Sequence, residues 1–378
     1  MSKTLGVGVI GCGNISATYL KLAPLFKGFE IRSVADLDMA AADARAAEFG
    51  VAAQSVKDLL NNENIQIVIN LTVPAAHYKV SKQILEAGKH VYSEKPLTLS
   101  VTEAKQLQAL ANKKKLRVAA APDTFLGGAH QQARKAIDDG LIGKVASGTA
   151  HIMSHGMEHW HPNPGFFYKP GGGPILDMGP YYIANLINLV GPVKRVAALS
   201  STPRKTRLIS SAPRKGETIR VSTPTTYHAL LEFVNGAMIT LSASWDVFAH
   251  RHDHMEIYGT EGALFVPDPN FFGGEVIMAG SDTVRKPLPV WDHPFGMPNH
   301  PDDEGQVANY RGAGLADMAQ AILQKRRDIR CGIDRMLHVV EVMMAIKASG
   351  ETGKFVTLKS TCKRPAYLGP EEARALLK

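Results

Sequence analysis

The sequence lacks any run of about 20 consecutive apolar residues, the length that a helix needs to cross a bilayer. The residues from Met1 to Thr4 lead into a strand pattern without a charged leader or a cleavage site, so we expect a cytoplasmic protein with no membrane partner. Cysteine is scarce, because only Cys12, Cys331 and Cys362 occur and they form no Cys-x-x-Cys pair. This scarcity argues against a disulfide framework and a zinc knuckle and favours reduced thiols.

The sequence also lacks aromatic residues interleaved with its basic clusters. The 43 Lys and Arg residues exceed the 35 Asp and Glu residues and give a formal net charge of +8, which can attract nucleic acid. The basic residues are scattered, however, and no aromatic rings stand between them on which bases could stack. We therefore expect no nucleic-acid partner.

Short apolar runs alternate with helical patterns in the first third of the chain. The predicted strands are Leu5–Ile10, Ile31–Ala35, Ile65–Leu71, His90–Ser93 and Leu116–Ala121, and the predicted helices are Ser16–Leu25, Met39–Phe49, Ala76–Ala87 and Ser100–Asn112. Strands joined by helices need crossover connections, which indicates an α/β Rossmann domain with a parallel sheet. Because 378 residues exceed what one core usually serves, we expect two domains, residues 1–124 and 125–378.

From Ala146 onward the apolar residues alternate with a period of two, which is typical of antiparallel strands. A hairpin is predicted where the Asn235-Gly236 turn joins Tyr227–Phe233 to Ala237–Trp245. Two helices interrupt this pattern, Pro180–Val190 and Arg335–Ser349. The polar stretch Thr202–Thr226 is interpreted as mobile connections around one short strand. The C-terminal domain is thus predicted to be α+β with an open, mainly antiparallel sheet.

The turn Gly11-Cys12-Gly13-Asn14-Ile15-Ser16 follows the first predicted strand and opens a helix. Gly11 permits a tight turn, Gly13 lets the backbone approach a pyrophosphate, and the helix offers unpaired N–H groups at Asn14 and Ile15. Asp36 stands 23 residues after Gly13, where a carboxylate can accept hydrogen bonds from ribose hydroxyls, and no arginine is adjacent to it. A tight turn alone would also explain the glycines, but Asp36 favours an NAD site over an NADP site.

Three further motifs complete a pattern that resembles the Gfo/Idh/MocA oxidoreductases over nearly the whole chain. They are Thr72-Val73-Pro74 with His77, Glu94-Lys95-Pro96, and the run from Gly171 to Tyr181. The resemblance implies a Rossmann domain, a C-terminal open-sheet domain and an active site between them. It also implies that Thr72, Pro74, His77, Glu94 and Lys95 contribute to cofactor binding.

The resemblance further implies that Lys95 lies beside the nicotinamide and the substrate hydroxyl, and that a cis bond precedes Pro96. A lysine at the C-terminal end of a parallel strand stands where such sheets bind ligands. Burial near a cationic nicotinamide lowers the pKa of a lysine toward the value that a general base needs. A surface lysine and a plain turn proline stay open as alternatives.

The family pattern Asp-x-Gly-x-His carries Tyr181 at its last position in this chain. A tyrosine hydroxyl can share in proton relay, but an ordinary pKa of about 10 makes it a poorer base than histidine. Lys95 is therefore the favoured proton acceptor, and Asp177 is expected to orient it or to bind a substrate hydroxyl. Alternatively, Asp177 is a helix N-cap, and Tyr181 or its neighbour Tyr182 fills the core.

The segment His155–His161 contains two histidines four residues apart with a carboxylate between them. Gly156 and the prolines that follow indicate a loop, and the His-Glu-x-x-His order of metalloproteases is absent. We expect His159, Trp160 and His161 to bind a sugar and expect no metal, with a metal site as the alternative. The second cluster, His250–His254, borders the pocket or lies in a subunit contact.

Together these motifs predict an oxidoreductase that moves a hydride between NAD and a secondary alcohol or ketone of a sugar, glycoside or inositol-like polyol. One alternative is an NAD-dependent glycoside-cleaving enzyme that oxidises its substrate transiently. Another is a non-catalytic NAD-binding sensor of the same fold. Because the large sheet of the C-terminal domain needs its outer face covered, a homo-oligomer is expected, either a dimer or a tetramer.

Overall fold

The computed structural model describes residues 4–302 and 305–378. Met1, Ser2 and Lys3, which precede the first predicted strand, lie outside the described residues. Contacts divide the chain into two compact units. The first unit comprises Met1–Gly128, Asp292–Val340 and Pro365–Lys378, and the second comprises Ala129–Trp291 and Glu341–Arg364.

A six-stranded parallel sheet forms the centre of the first unit, with the strand order β3-β2-β1-β4-β5-β6. The strands are β1 Leu5–Ile10, β2 Phe29–Ala35, β3 Ala52–Ala53, β4 Ile67–Asn70, β5 His90–Ser93 and β6 Val118–Ala120. The helices are α1 Asn14–Leu22, α2 Met39–Phe49, α3 Val56–Asn61, α4 His77–Glu86 and α5 Val101–Lys114. The predicted Rossmann fold is confirmed, and β1, α2 and β5 have the predicted bounds.

Local signals in the sequence explain these elements. Every residue of β1 and β4 is buried, as expected for parallel strands covered on both faces. Helix α2 begins where the Asp38 side chain accepts a hydrogen bond of 3.0 Å from the Ala40 N–H, which satisfies one free donor of the first turn. It ends at Gly50, whose φ of +68° is left-handed.

A nine-stranded sheet forms the centre of the second unit, with the order β16-β15-β14-β13-β7-β12-β11-β8-β19. Its strands include β7 Val145–Met153, β8 Val193–Ser201, β11 Thr226–Phe233, β12 Met238–Ser244, β13 Met255–Gly259, β14 Ala263–Val266, β15 Ile277–Ala279 and β16 Lys286–Pro287. The helices are α6 Gly128–Asp138, α7 Pro174–Asp177 and α8 Gly179–Leu189. Only the β7–β12 pair is parallel among these described strands, so the mainly antiparallel sheet is confirmed.

The predicted hairpin joins β11 to β12, with Glu232 opposite Met238. Alternate residues of β11 are buried, including Tyr227 and Leu231. The opposite face of the sheet, which we call the outer face, carries exposed apolar side chains on three neighbouring strands. They are Leu199 at 71% exposure, Leu230 at 55% and Met238 at 63%.

The stretch Thr202–Thr226 is more ordered than its composition indicates. It contains two short strands, β9 Thr206–Leu208 and β10 Thr218–Arg220, which pair antiparallel. Ile209, Ile219 and Val221 are buried in a cluster with Trp245, Phe167, Tyr168 and Met157. The interpretation as mobile connections around one strand is therefore wrong, because buried apolar residues alternate with the polar ones and fix the hairpin.

The remaining elements are β17 His300–Asp302, β18 Gly305–Val307, α9 Ala313–Leu323, α10 Ile333–Thr352, β19 Val356–Thr357 and α11 Pro370–Leu376. Single turns of 3-10 helix occur at Ala23–Leu25, Pro74–Ala76, Thr124–Leu126, Pro164–Tyr168 and Pro294–Gly296. The C-terminal end returns to the first unit, where the Lys378 N–H donates to the Leu25 carbonyl at 2.9 Å. No helix within the described ranges is both long and apolar enough to cross a membrane.

Close packing at Gly314 in α9 gives a test of the first unit. A Cβ at this position would lie 2.7 Å from Tyr92 Oη, 2.9 Å from Asp123 Cβ and 2.9 Å from Cys331 Sγ. We expect Gly314→Ala to lower the free energy of unfolding by about 1–3 kcal/mol, the usual range for an overpacked core. The measurement is equilibrium urea denaturation. Gly280→Ala, where a Cβ meets nothing within 4 Å, should change the stability by less than about 0.5 kcal/mol. Equal stabilities of the two variants would contradict the packing described.

Candidate functional site

The glycine turn between β1 and α1 leaves its backbone open. Gly11 has a φ of +106°, and a Cβ there would lie 2.6 Å from the carbonyl carbon of Leu71, so only glycine fits. A Cβ at Gly13 would meet nothing within 4 Å. Ser16, in place of the third glycine, is buried and donates from Oγ to the Gly13 carbonyl at 2.6 Å. The turn and the start of α1 at Asn14 thus fit a pyrophosphate.

The Asp36 carboxylate joins the ends of β1 and β2. Its Oδ2 accepts a hydrogen bond of 2.7 Å from the Cys12 N–H, and its Oδ1 accepts one of 3.0 Å from the Asp38 N–H. A carboxylate offers about four lone-pair sites, so these two bonds leave acceptor capacity for ribose hydroxyls. The residues present therefore fit the adenosine part of NAD.

An arginine reaches the same turn from α2. Arg45 Nη2 lies 3.4 Å from the Gly13 carbonyl oxygen, while Nη1 pairs with Glu48 at 2.5 Å. The sequence argument considered only residues adjacent to Asp36, and Arg45 is nine positions away. It lies in the second turn of α2, so a search along the whole helix after the second strand finds it.

The predicted cofactor residues after β4 lie in a loop that is held by side-chain hydrogen bonds. Thr72 Oγ1 donates to Asn70 Oδ1 at 2.7 Å. His77 is buried, with Nδ1 2.7 Å from the Pro96 carbonyl and Nε2 2.8 Å from the Thr72 carbonyl. Both ring nitrogens face backbone carbonyls, so His77 holds the backbone at Thr72 against Pro96.

Glu94 and Lys95 follow β5, two strands from the glycine turn. The Glu94 carboxylate accepts hydrogen bonds of 2.8 Å from Tyr19 Oη and from the Lys95 N–H. Burial first, and then the nearby Glu94 carboxylate, raises the pKa of Tyr19 well above its usual value, so Tyr19 remains a hydrogen-bond donor. The Lys95–Pro96 peptide is cis, as the resemblance implies. The hydrogen bond to the Glu94 carboxylate fixes the N–H of Lys95.

In the second unit, Asp177 is the last residue of α7 and Tyr181 lies in the first turn of α8. Tyr181 is buried at 9% exposure, and Asp177 is partly exposed. Met178 is the N-cap of α8, without a side-chain cap, so Asp177 does not serve as the cap. Tyr182 is more deeply buried, and its hydroxyl lies 3.1 Å from His254 Nδ1.

The segment from His155 to His161 is a loop, as predicted. The His155 and His159 rings stack with centroids 3.9 Å apart, and Trp160 is 58% exposed. Burial lowers the pKa of His161, whereas the nearby Asp177 carboxylate opposes that shift. The structure thus brings His161 within electrostatic range of Asp177.

The Glu158 carboxylate is bonded to two side chains other than the histidines. Its Oε1 pairs with Arg207 Nη1 at 3.0 Å, and its Oε2 accepts a hydrogen bond from Tyr168 Oη. Among residues 4–302 and 305–378, no group of three His, Cys, Asp or Glu side chains is placed to hold a metal ion. The carboxylate between the histidines in the sequence is therefore part of an internal ion pair.

Besides Arg45, the sequence argument missed two further residues at these sites. Tyr19 holds Glu94 from 75 positions away, and Arg207 pairs with Glu158 from 49 positions away. Neither pair leaves a local pattern. The buried tyrosine in α1 has the spacing of a core residue, and Arg207 stands in a polar stretch.

Two family models match the chain. Residues 5–121 match the oxidoreductase family with an NAD-binding Rossmann fold, and residues 130–265 match the GFO/IDH/MocA C-terminal domain. The matched Rossmann family and the geometry of the glycine turn and Asp36 identify NAD as the cofactor of the first unit.

Several known proteins are similar to this chain. An uncharacterized oxidoreductase of Schizosaccharomyces pombe is 34% identical over 151 residues, which cover 39% of this chain and only 40% of that protein. The dTDP-3,4-didehydro-2,6-dideoxy-alpha-D-glucose 3-reductase of Saccharopolyspora spinosa is 30% identical over 357 residues, which cover 88% of this chain and 99% of that protein. The structure of levoglucosan dehydrogenase in complex with NADH has a TM-score of 0.80 at 22% identity and covers 95% of this chain and 100% of that chain. This last likeness establishes the fold alone.

Cofactor binding can be tested at Asp36. We expect Asp36→Ala to weaken NAD binding by about 10-fold to 100-fold, the usual value of hydrogen bonds to a charged group. Fluorescence titration with NAD and with NADP measures both affinities, and the wild type should prefer NAD. Asp38→Ala is the matched control, because Asp38 caps α2 and does not contact Cys12. An unchanged NAD affinity in Asp36→Ala, or equal wild-type affinities for the two cofactors, would contradict the assignment.

Proposed function

Since the chain belongs to the Gfo/Idh/MocA family of NAD-binding oxidoreductases, we propose that it moves a hydride between NAD and a CH–OH group of a sugar, glycoside or inositol-like polyol. The placement of Lys95 carries the proposal. Lys95 follows β5 at the C-terminal ends of the parallel strands, where the glycine turn also lies. Open α/β sheets bind ligands at these strand ends. Its backbone N–H is fixed by Glu94.

In the proposed reaction Lys95 handles the proton. Bound NAD supplies the acceptor for the hydride. A carbinol carbon releases hydride as its hydroxyl proton leaves, so a neutral Lys95 Nζ within reach of that hydroxyl lowers the barrier. Tyr19 and Glu94 act through the backbone of Lys95, since their hydrogen bonds restrict where the side chain begins. In the reverse direction the protonated amine returns the proton to the alkoxide.

Asp177 and Tyr181 are the proposed contributions of the second unit. We assign the binding of a substrate hydroxyl to Asp177. Its side chain is partly exposed, and it lies close enough to His161 to raise the pKa of that imidazole. Tyr181 stands where the family pattern has histidine. As a phenol it donates a hydrogen bond readily but accepts a proton poorly near neutral pH. It is therefore proposed to assist Lys95.

Three neighbouring residues, His159, Trp160 and His161, support a sugar-like substrate. An exposed indole face covers C–H bonds of a sugar ring, and imidazole nitrogens bond hydroxyls. The name of the Saccharopolyspora spinosa relative describes a reductase of a nucleotide-linked sugar, which favours the same substrate class here. The proposed function includes no nucleic-acid partner, because no aromatic residues stand between the basic clusters of the sequence.

The role of Lys95 is tested by substitution. We expect Lys95→Ala to lower turnover by about 10² to 10⁴, the range for general acid-base catalysis, with little change in NAD affinity. Turnover of a panel of monosaccharides, glycosides and inositols is followed by NADH formation against pH.

Tyr181→Phe should cost less than Lys95→Ala, and Lys79→Ala, on the exposed side of α4, should behave as wild type. A nearly active Lys95→Ala with an inactive Tyr181→Phe would assign the base to Tyr181. Release of aglycone without net NADH would favour the glycoside-cleaving alternative.

A homo-oligomer is the proposed assembly, with the outer face of the nine-stranded sheet as its contact. Leu199, Leu230 and Met238 expose apolar surface there, and such patches mark interaction sites. We expect light scattering to give a dimer or a tetramer. Leu230→Glu should shift the protein toward monomer, whereas Val290→Glu, at a fully exposed position, should not. A wild-type monomer at micromolar concentration would refute the assembly.

A further inference from the structure

A buried group of three charged side chains connects the loop His155–His161 to neighbouring segments of the second unit. Arg207 contacts Glu158 Oε1 through Nη1 at 3.0 Å and Asp246 Oδ1 through Nη2 at 2.5 Å. The side chain of Arg207 is 1% exposed, and those of Glu158 and Asp246 are each 11% exposed. We call these residues the ion triad.

The triad is bonded to the loop on one side. Arg207 Nη1 also donates to the His155 carbonyl at 3.3 Å. The Glu158 carbonyl accepts hydrogen bonds from the N–H groups of Ser210 at 2.9 Å and Ser211 at 3.2 Å. Ser211 Oγ donates to the His161 carbonyl at 2.6 Å. The loop is thus tied at its start, its middle and its end to the segment that carries Arg207.

The triad is bonded to the central sheet on the other side. Asp246 follows β12, and its Oδ2 accepts hydrogen bonds from Thr225 Oγ1 at 2.6 Å and Thr226 Oγ1 at 3.0 Å. Arg207 Nη2 donates to the Trp245 carbonyl at 3.1 Å. The guanidinium group of Arg207 therefore connects the loop to strands β11 and β12.

Stability alone does not account for such an arrangement. Burying charges removes their hydration, and well-packed apolar residues of similar volume often stabilise a core equally well. A planar guanidinium, in contrast, fixes the directions of several hydrogen bonds at once. The geometry points to orientation of the loop as the use of the triad.

We propose that Arg207, Glu158 and Asp246 are positioning residues that hold His155–His161 in the conformation that selects the substrate. The inference rests on the proposed function, because that function assigns substrate contacts to His159, Trp160 and His161. The stacked rings of His155 and His159 and the exposed ring of Trp160 take their places from the backbone that the triad holds. Discrimination between sugars that differ at one hydroxyl then depends on residues that never touch the sugar.

The test uses the purified full chain with three substitutions. Arg207→Met removes the central charge and keeps an unbranched side chain of similar length. Glu158→Gln keeps size and hydrogen bonding and removes one charge, so it should fold even if Arg207→Met does not. Arg220→Met is the matched control, because Arg220 is exposed on the paired strand β10.

We expect Arg207→Met to lower kcat/KM for the best polyol by about 100-fold, mainly through KM, as a misplaced binding loop does. The preference for that polyol over its epimer should fall, while NAD affinity stays within about twofold of wild type, since the cofactor turn is in the other unit. Glu158→Gln should shift KM and the epimer preference in the same direction by a smaller factor. Simple destabilisation would lower the active fraction and hence kcat, and would leave KM and the preference unchanged. An unaltered KM and epimer preference in folded Arg207→Met, or in Glu158→Gln where the former does not fold, overturns the proposal.

Hydrogen exchange measured by mass spectrometry provides a readout that needs no substrate. The amides of residues 155–163 should exchange faster in the two triad variants than in wild type or Arg220→Met, while the amides of β1 and β5 remain unchanged. Equal exchange in all four proteins overturns the tethering. A wild type that oxidises no polyol in the panel refutes the proposed function instead, and the exchange result still decides whether the triad holds the loop.

Discussion

The buried carboxylate of Asp123 holds the later part of the first unit against the NAD-binding sheet. Its Oδ2 accepts hydrogen bonds from Tyr92 Oη at 3.2 Å and from the N–H groups of Gly312 at 2.9 Å and Gly314 at 3.0 Å. Burial raises the pKa of Asp123, and the two backbone donors oppose that shift. Because Gly312 and Gly314 begin α9, one carboxylate both caps that helix and joins it to β5. The same segment is joined to the sheet a second time where the Ala120 N–H donates to the Cys331 carbonyl at 3.1 Å.

A series of contacts connects Asp123 to the proposed catalytic lysine. Tyr92 packs edge-on against Tyr19 with ring centroids 6.3 Å apart, and Tyr19 donates to Glu94, which in turn holds the N–H of Lys95. Each tyrosine is fully buried, and burial raises both pKa values well above the usual one. Both hydroxyls therefore remain donors over the physiological pH range, Tyr19 to Glu94 and Tyr92 to Asp123.

How much of this could be predicted from the sequence depends on the distance between partners along the chain. The bounds of β1 and α2, the glycine turn and Asp36 were predictable because strand burial, helix caps and the spacing to the acidic residue are local patterns. The helix α9 and the return of residues 292–340 to the first unit were not, since an amphipathic helix does not reveal which core it covers. Likewise, the pairs Tyr19–Glu94 and Arg207–Glu158 form only after folding. The polar stretch around Arg207 was misjudged because its few apolar residues are buried by distant aromatic ones.

Several carboxylates of the chain hold a backbone N–H group or a buried cation in place. Asp36 holds the N–H of Cys12 and Glu94 holds that of Lys95, while Glu158 and Asp246 hold the guanidinium of Arg207. The Arg207 guanidinium is buried, so its N–H donors would be costly to leave without partners. An acidic residue beside a motif is therefore weak evidence for acid-base chemistry in this protein. In the proposed function, proton transfer falls to the amine of Lys95 with the assistance of the phenol of Tyr181, and the Asp177 carboxylate binds a substrate hydroxyl.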